Sequence, residues 1–266
     1  MDLSKKALIG MVHVGALPGT PGSREGIGAL ASRAAGEARV LKEAGFDAVM
    51  IENMHDAPYV HGAQGPEVVA GMTAVGLAVR AAVGGMSMGV QVLSGGNKEA
   101  LAVALACGAL FVRCENFVFS HVADEGLLER AEAGPLLRYR RVIGAEGVRV
   151  YCDVKKKHAS HAITGDLSVG ECVRGAEFFG ADGVIVTGVA TGRAASVEDV
   201  KEARGATGLP VLVGSGVTPE QVRALFRYAD GLIVGSWVKR DGSWNNEVDP
   251  GRAKELARAA ALARGA

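Results

Sequence analysis

A chain of 266 residues with 48% hydrophobic residues, 38 glycines and only 5% aromatics has the composition of a compact α/β protein with much buried parallel strand. Lysine plus arginine and aspartate plus glutamate stand at 29 each, which excludes a net field that would draw the chain to nucleic acid or to an anionic membrane. Any anionic ligand, a phosphorylated small molecule included, must therefore be held locally.

The apolar run after Lys5 and Lys6 is brief and enters a strand-loop pattern, so no secretory leader is expected. The longest apolar window, Ala100 to Val112, is too short to cross a bilayer and contains Cys107-Gly108, which reads as a helix end. No transmembrane segment is expected, and peripheral membrane association stays open. Cys107, Cys114, Cys152 and Cys172 form no CxxC pair and fall in or beside apolar segments, which points to reduced thiols in a cytoplasmic protein.

Taken in order, ALIGMVHV (7–14) is a strand that breaks at Gly15 into an irregular Gly/Pro loop, and residues 29–44 form a helix closed by Gly45. FDAVMIEN (46–53) is the second strand, and Pro66 opens a helix that runs to about Val83. SMGVQVL (87–93) is the third strand, with a loop and helix after it, and LFVRCEN (110–116) is the fourth. The segment FVFSHVADEGLLERA is expected to hold a short helix of its own before the main helix near Pro135 to Gly144. VRVYCDV (148–154) is the fifth strand, KKKHASHAITGDL a long polar loop, and Ser168 caps the next helix. GVIVTG (183–188), a helix capped by Ser196, a strand at 211–213, a helix from Thr218-Pro219, a strand at 231–234 and a helix from Asp249 complete the pattern.

Three segments repeat one unit: GFDAVMIEN (45–53), GADGVIVTG (180–188) and YADGLIVGS (228–236) each place a small-Asp-small lead before a short apolar strand. Reuse of a single βα unit suits a closed (βα)8 barrel, whereas a doubly wound sheet would carry a GxGxxG turn after its first strand, and GALPGTPGS lacks that spacing. No linker with a shift of composition interrupts the chain, so residues 1–266 read as a single barrel domain. Whether that domain forms a homo-oligomer stays open.

Two glycine-serine loops follow the last two strands. Gly214, Ser215 and Gly216 lie between VLV and the helix start, and Gly235 and Ser236 end the eighth strand. In such a barrel a phosphate commonly lies between these two loops, so the five residues are the expected phosphate site. Catalytic groups belong at the C-terminal strand ends, and His13, His55, His61, His121, His158 and His161 all fall there. The same ends carry Glu52, Asn53, Gln91, Arg113, Glu115, Asp153, Lys155, Thr187 and Gly188.

Strand alternation puts Asp153 and Lys155 on one face, either as an internal ion pair or with Asp153 a general base or metal ligand and Lys155 an electrostatic clamp or, if its pKa is lowered, a Schiff-base former. Lys156 and Lys157 are expected in solvent. His13, Glu52 and Asp153 are the proton-transfer candidates, and Lys155 and Arg113 would stabilise an oxyanion. Asn53, Gln91, Glu115, His158, His161, Thr187 and Gly188 would contact substrate. A divalent metal on Glu52, Asp153, His158 and His161 is an open alternative, with the cofactor otherwise unknown.

The stretches GMVHVGALPG, IENMHDAPY, GPEVVAGMTAV, DVKKKHASHAI, VIVTGVATG, VLVGSGVTPE and VGSWVKRDG, in this order across nearly the whole chain, resemble the BtpA family, which includes SgcQ-like proteins. The resemblance implies a TIM barrel of the ribulose-phosphate-binding type. It also implies two roles: a sugar-metabolism enzyme, as for SgcQ-like members, or a non-enzymatic biogenesis factor for membrane complexes such as photosystem I. Ser94-Gly95-Gly96-Asn97 replaces the Arg-Asn-Asp turn common in the family, and CENFVFSHVADEG and KKKHASHA mark a distinct branch. On the residues themselves the first expectation is an enzyme for a small phosphorylated sugar or nucleotide-like metabolite, with isomerisation, aldol-type cleavage and glycosidic hydrolysis all open.

Overall fold

The computed structural model describes residues 2–188 and 195–265. The end of VIVTGVATG lies outside the described residues. The element order is β1 (Ala7–His13), α1 (Ile27–Ala44), β2 (Ala48–Glu52), α2 (Pro66–Val83), β3 (Ser87–Gln91), α3 (Asn97–Cys107) and β4 (Phe111–Cys114). There follow β5 (His121–Ala123), β6 (Gly126–Leu128), α4 (Ala133–Val142), β7 (Arg149–Val154), β8 (Ala159–Ser160) and α5 (Val169–Phe178). The chain ends with β9 (Gly183–Val186), α6 (Val197–Ala206), β10 (Val211–Val213), α7 (Pro219–Leu225), β11 (Gly231–Val234) and α8 (Pro250–Arg264).

Eight parallel strands close in the order β1-β11-β10-β9-β7-β4-β3-β2, so the fold is a TIM barrel with its helices outside. Period-two alternation sends Ile9, Met11, Ala48, Met50, Phe111, Tyr151, Ile185, Leu212 and Ile233 into the barrel, where they form one apolar plug. The opposite strand faces join the helices in a second, larger core. Two glycines make room inside the plug. A Cβ on Gly89 would lie 2.2 Å from the Phe111 ring, and one on Gly183 would lie 2.6 Å from the Tyr151 ring. Large side chains on β4 and β7 thus fill the space that glycine leaves on β3 and β9.

The repeated aspartates belong to the other end of the barrel and are structural. Asp47, Asp182 and Asp230 accept the first free N–H of a neighbouring strand, from Leu8 at 2.7 Å, Val150 at 2.9 Å and Val211 at 2.9 Å. An arginine balances each of these charges: Arg264, Arg140 and Arg204 respectively.

Two expectations need correction. The segment after β4 makes the β5–β6 hairpin, paired with β8 in a small antiparallel sheet, where a short helix was expected. Val122 and Leu127 alternate with His121 and Leu128 there, and Gly126 turns at φ 116°, a conformation that favours glycine. Ala100 to Val112 is also not the apolar stretch of greatest span. Helix α2 is long and apolar enough by composition to cross a membrane, and it buries Val68, Met72, Val75, Val79 and Val83 in the outer layer of the barrel.

Candidate active site

The inward residues at the C-terminal strand ends are polar where the plug below them is apolar. His13 ends β1, Glu52 ends β2, Gln91 ends β3, and Arg113 and Asp153 follow Phe111 and Tyr151 by two residues on β4 and β7. The register places His13 beside Glu52 and Glu52 beside Gln91. Met11, His13, Glu52, Met54, Arg113, Lys157, Gly214, Ser215, Gly216, Gly235 and Ser236 line one cavity. A second lobe shares Glu52, Met54, Arg113 and Lys157 with it and adds Gln91, Glu115, Lys156 and Trp244.

His13 Nδ1 lies 2.8 Å from the carbonyl oxygen of Trp244. A carbonyl only accepts, so Nδ1 carries the proton and the Nε2 lone pair faces the cavity when the ring is neutral. Neutrality is favoured because burial, and next the Lys239 ammonium, pull the pKa well below the ordinary histidine value. Glu52 Oε2 stands 3.6 Å from Nε2. Burial raises the Glu52 carboxyl, Lys157 and Arg113 oppose the rise, and Glu115 and Asp153 add to it. A neutral imidazole whose Nε2 lone pair faces a carboxyl of raised pKa is an arrangement able to pass a proton.

Arg113 and Asp153 form a two-point ion pair, Nε to Oδ1 at 2.9 Å and Nη2 to Oδ2 at 3.1 Å, with both side chains almost wholly buried. Burial pushes the Asp153 carboxyl up against the pull of Arg113. Since both its oxygens are taken, Asp153 acts on Arg113, and Arg113 faces the cavity. Glu115 is likewise engaged, by Lys156 Nζ at 3.1 Å and by the Gly95 N–H at 2.9 Å. Burial works against its charge, yet Lys156 above all holds the carboxyl below its ordinary value.

The expected pairing of Asp153 with Lys155 does not form. Lys155 has φ 46°, which ends the extended alternation of β7 and turns its ammonium to the carbonyl oxygen of Leu167. Lys156 and Lys157, expected in solvent, take the inner positions. Sequence parity missed them because it assumed an extended backbone one residue too far.

The metal set also does not converge. Asp153 serves Arg113, His158 Nδ1 stands 3.7 Å from Asp124 at the rim, and His161 Nε2 meets the Lys156 carbonyl oxygen at 3.0 Å. Among the described residues no group of three or more His, Cys, Asp or Glu side chains is arranged to hold a metal.

Of the expected substrate contacts, Gln91 is buried and lines the second lobe, and its Oε1 has no hydrogen-bond partner among the described residues. Asn53 instead ties loops together, donating to Asp56 at 2.8 Å and accepting the Leu93 N–H at 2.7 Å. Thr187 Oγ1 accepts the Lys157 N–H at 2.9 Å. Gly188 lines a separate cavity with Lys155. The glycines leave room for the reactive groups: a Cβ on Gly235 would lie 3.2 Å from His13 Nε2, and one on Gly214 would lie 3.3 Å from Arg113 Nη2.

Comparison with known proteins gives the following. An uncharacterised mitochondrial protein of Caenorhabditis elegans is 43% identical over 256 residues, covering 95% of this chain and 92% of that one. The photosystem I biogenesis protein BtpA of Synechocystis is 35% identical over 247 residues, covering 91% of this chain and 84% of that one. Among solved structures, (S)-3-O-geranylgeranylglyceryl phosphate synthase of Thermoplasma acidophilum, in complex with its substrate sn-glycerol-1-phosphate, superposes with a TM-score of 0.60 at 15% identity, over 96% of this chain and 92% of that one. The family model for the BtpA family matches residues 4–262, and the chain belongs to that family.

Proposed function

We propose that this chain is an enzyme acting on a small phosphorylated sugar or nucleotide-like metabolite at the C-terminal mouth of its barrel. One observation carries the reading: Gly214, Ser215, Gly216, Gly235 and Ser236 line the same cavity as His13, Glu52, Arg113 and Lys157. Backbone amides at such loops suit a phosphate, and the cationic side chains offset its charge. A structural neighbour that binds sn-glycerol-1-phosphate on the same fold supports it. In this reading His13 and Glu52 move the proton, Arg113 stabilises developing negative charge, Asp153 holds Arg113 in place, and Gln91 accepts a hydroxyl of the substrate. A cytoplasmic setting belongs to the same reading and is supported by the four free cysteines, all buried.

The Synechocystis relative's name supports a second reading, a biogenesis factor for membrane complexes. Its candidate aromatics lie in FVFSHV (117–122) and at Trp237 and Trp244: Phe117 is fully buried, Trp237 lies under Arg252 at 4.3 Å and Trp244 packs on His55 at 5.1 Å, whereas Phe119 is exposed.

The test is a thermal-shift titration with inorganic phosphate, phosphorylated sugars and nucleotides, comparing the native chain with Ser215→Asp. A ligand that binds only the folded state raises the melting temperature by mass action. The expected result is a shift for one phosphorylated class that Ser215→Asp removes. No shift with any phosphate would sink this reading and leave partner binding as the better one.

A further inference from the structure

Lys157 stands where the two lobes of the mouth meet, lining both the glycine-loop cavity and the lobe that contains Gln91. Its backbone is pinned by the hydrogen bond to Thr187, 2.9 Å long, across from β7 to the end of β9. Its neighbours in the lysine run are occupied, Lys155 by the Leu167 carbonyl and Lys156 by Glu115. Among the described residues the Lys157 ammonium has no hydrogen-bond or ion-pair partner.

A cation that only balanced the site's carboxylates would be seated on one of them. Lys157 is not, although Glu52 lines both of its cavities. Burial, and next the Arg113 guanidinium, lower its pKa, with Glu52, Asp153 and Glu115 acting in the opposite direction. The neutral amine is the nucleophilic form. Beside it are a carboxyl inclined to hold a proton, Glu52, and an imidazole with a free lone pair, His13.

We propose that Lys157 forms a Schiff base with the carbonyl carbon of a phosphorylated aldehyde or ketone whose phosphate lies against the loops 214–216 and 235–236. This deepens the phosphate reading and rests on it. The Nζ lone pair attacks the carbonyl carbon, a C–N bond forms, and the C=O π electrons move to oxygen. Glu52 gives its proton to that oxygen and recovers one from the nitrogen, leaving a neutral carbinolamine. The hydroxyl then leaves as water with the Glu52 proton, and the nitrogen lone pair closes the C=N bond. The sum is amine, carbonyl and one carboxyl proton going to an iminium, water and a carboxylate, with no change of oxidation state. The Glu52 carboxylate becomes the counter-ion of the iminium.

The test is reductive trapping of the full chain with glycolaldehyde phosphate and sodium cyanoborohydride, with peptide mapping of the adduct. A parallel thermal-shift titration uses inorganic phosphate. The expected result is an adduct concentrated on Lys157 that is lost in Lys157→Arg, while the phosphate shift of that variant persists because the loops 214–216 and 235–236 are unchanged. A phosphate shift with no adduct on Lys157, or with adducts spread over surface lysines, overturns the Schiff-base assignment and leaves the phosphate reading standing. An adduct on Lys157 that forms as readily with unphosphorylated glycolaldehyde, without any phosphate shift, supports the lysine chemistry and removes the phosphate part. Neither shift nor adduct overturns both.

Discussion

The hydrogen bond from His13 Nδ1 to the Trp244 carbonyl oxygen, 2.8 Å long, joins the end of the first barrel strand to the segment after the last. It sets the tautomer of the imidazole through a backbone atom, so the identity of the residue at 244 matters less than the path of the chain there. The ring is confined on its other side by Gly235, where any Cβ would come within 3.2 Å of Nε2.

Gly235→Ala should therefore move the His13 ring while leaving the barrel intact. Crowding of this kind typically costs about 1–3 kcal/mol. Nitrogen NMR of labelled histidine would report the protonated Nδ1 and bare Nε2 in the native chain and an altered pattern in the variant. An unchanged spectrum would show that the ring is not held by this contact.

Asp153→Ala should destabilise the protein strongly. It leaves the Arg113 guanidinium buried and unpaired, a change that costs about 3–5 kcal/mol in comparable sites. Replacing both partners by apolar residues, Arg113→Met with Asp153→Leu, should recover most of that loss. Urea denaturation of the single and double variants checks it, and a single variant as stable as the native chain would show that the pair is not closed.

His121 is buried near Lys156 and His161, and among the described residues its Nε2 has no hydrogen-bond partner. Burial first, then Lys156 and His161, pull its pKa down to about 4 from the ordinary 6.5. Between these values the unfolded chain binds a proton that the native chain refuses, so stability falls as pH drops through that window. His121→Gln should flatten this slope in urea denaturation compared at about pH 7 and about pH 5. An unchanged slope would place the proton uptake on other groups, such as His13.

The sequence revealed the barrel more fully than the site, for a physical reason. A strand's apolar run, a capping serine such as Ser168 and a closing glycine such as Gly45 are local signals, and the structure uses both residues as expected. The repeated aspartate was legible as a pattern, but its role needed partners far along the chain: Asp47 serves Leu8 and Arg264. At the site, Arg113 and Asp153 were assigned to the C-terminal strand ends, where both lie, and their partnership was missed because it joins β4 to β7. Lys155 was misplaced because a single residue at φ 46° reverses the parity of everything after it. A run of three lysines at a strand end was the available sign that not all of them face solvent.

Glu52 gives the sharpest contrast between stability and function. Burial is the main influence on its carboxyl, and the native pKa is raised above 4.5. Within the window above 4.5 the native chain holds a proton that the unfolded chain releases, so stability declines as pH rises through it, and the loss is complete above the native pKa. Glu52→Gln removes the titration and keeps the shape. It should raise the melting temperature at neutral pH, and the gain should vanish as pH falls below 4.5. The same variant should abolish imine trapping at Lys157, since no proton reaches the departing oxygen. A stabilised but unreactive variant is the pattern expected of a group kept for chemistry at the expense of the fold. If Glu52→Gln is instead destabilising at neutral pH, the carboxylate is held charged by Lys157 and Arg113, and the proton donor must be sought elsewhere in the mouth.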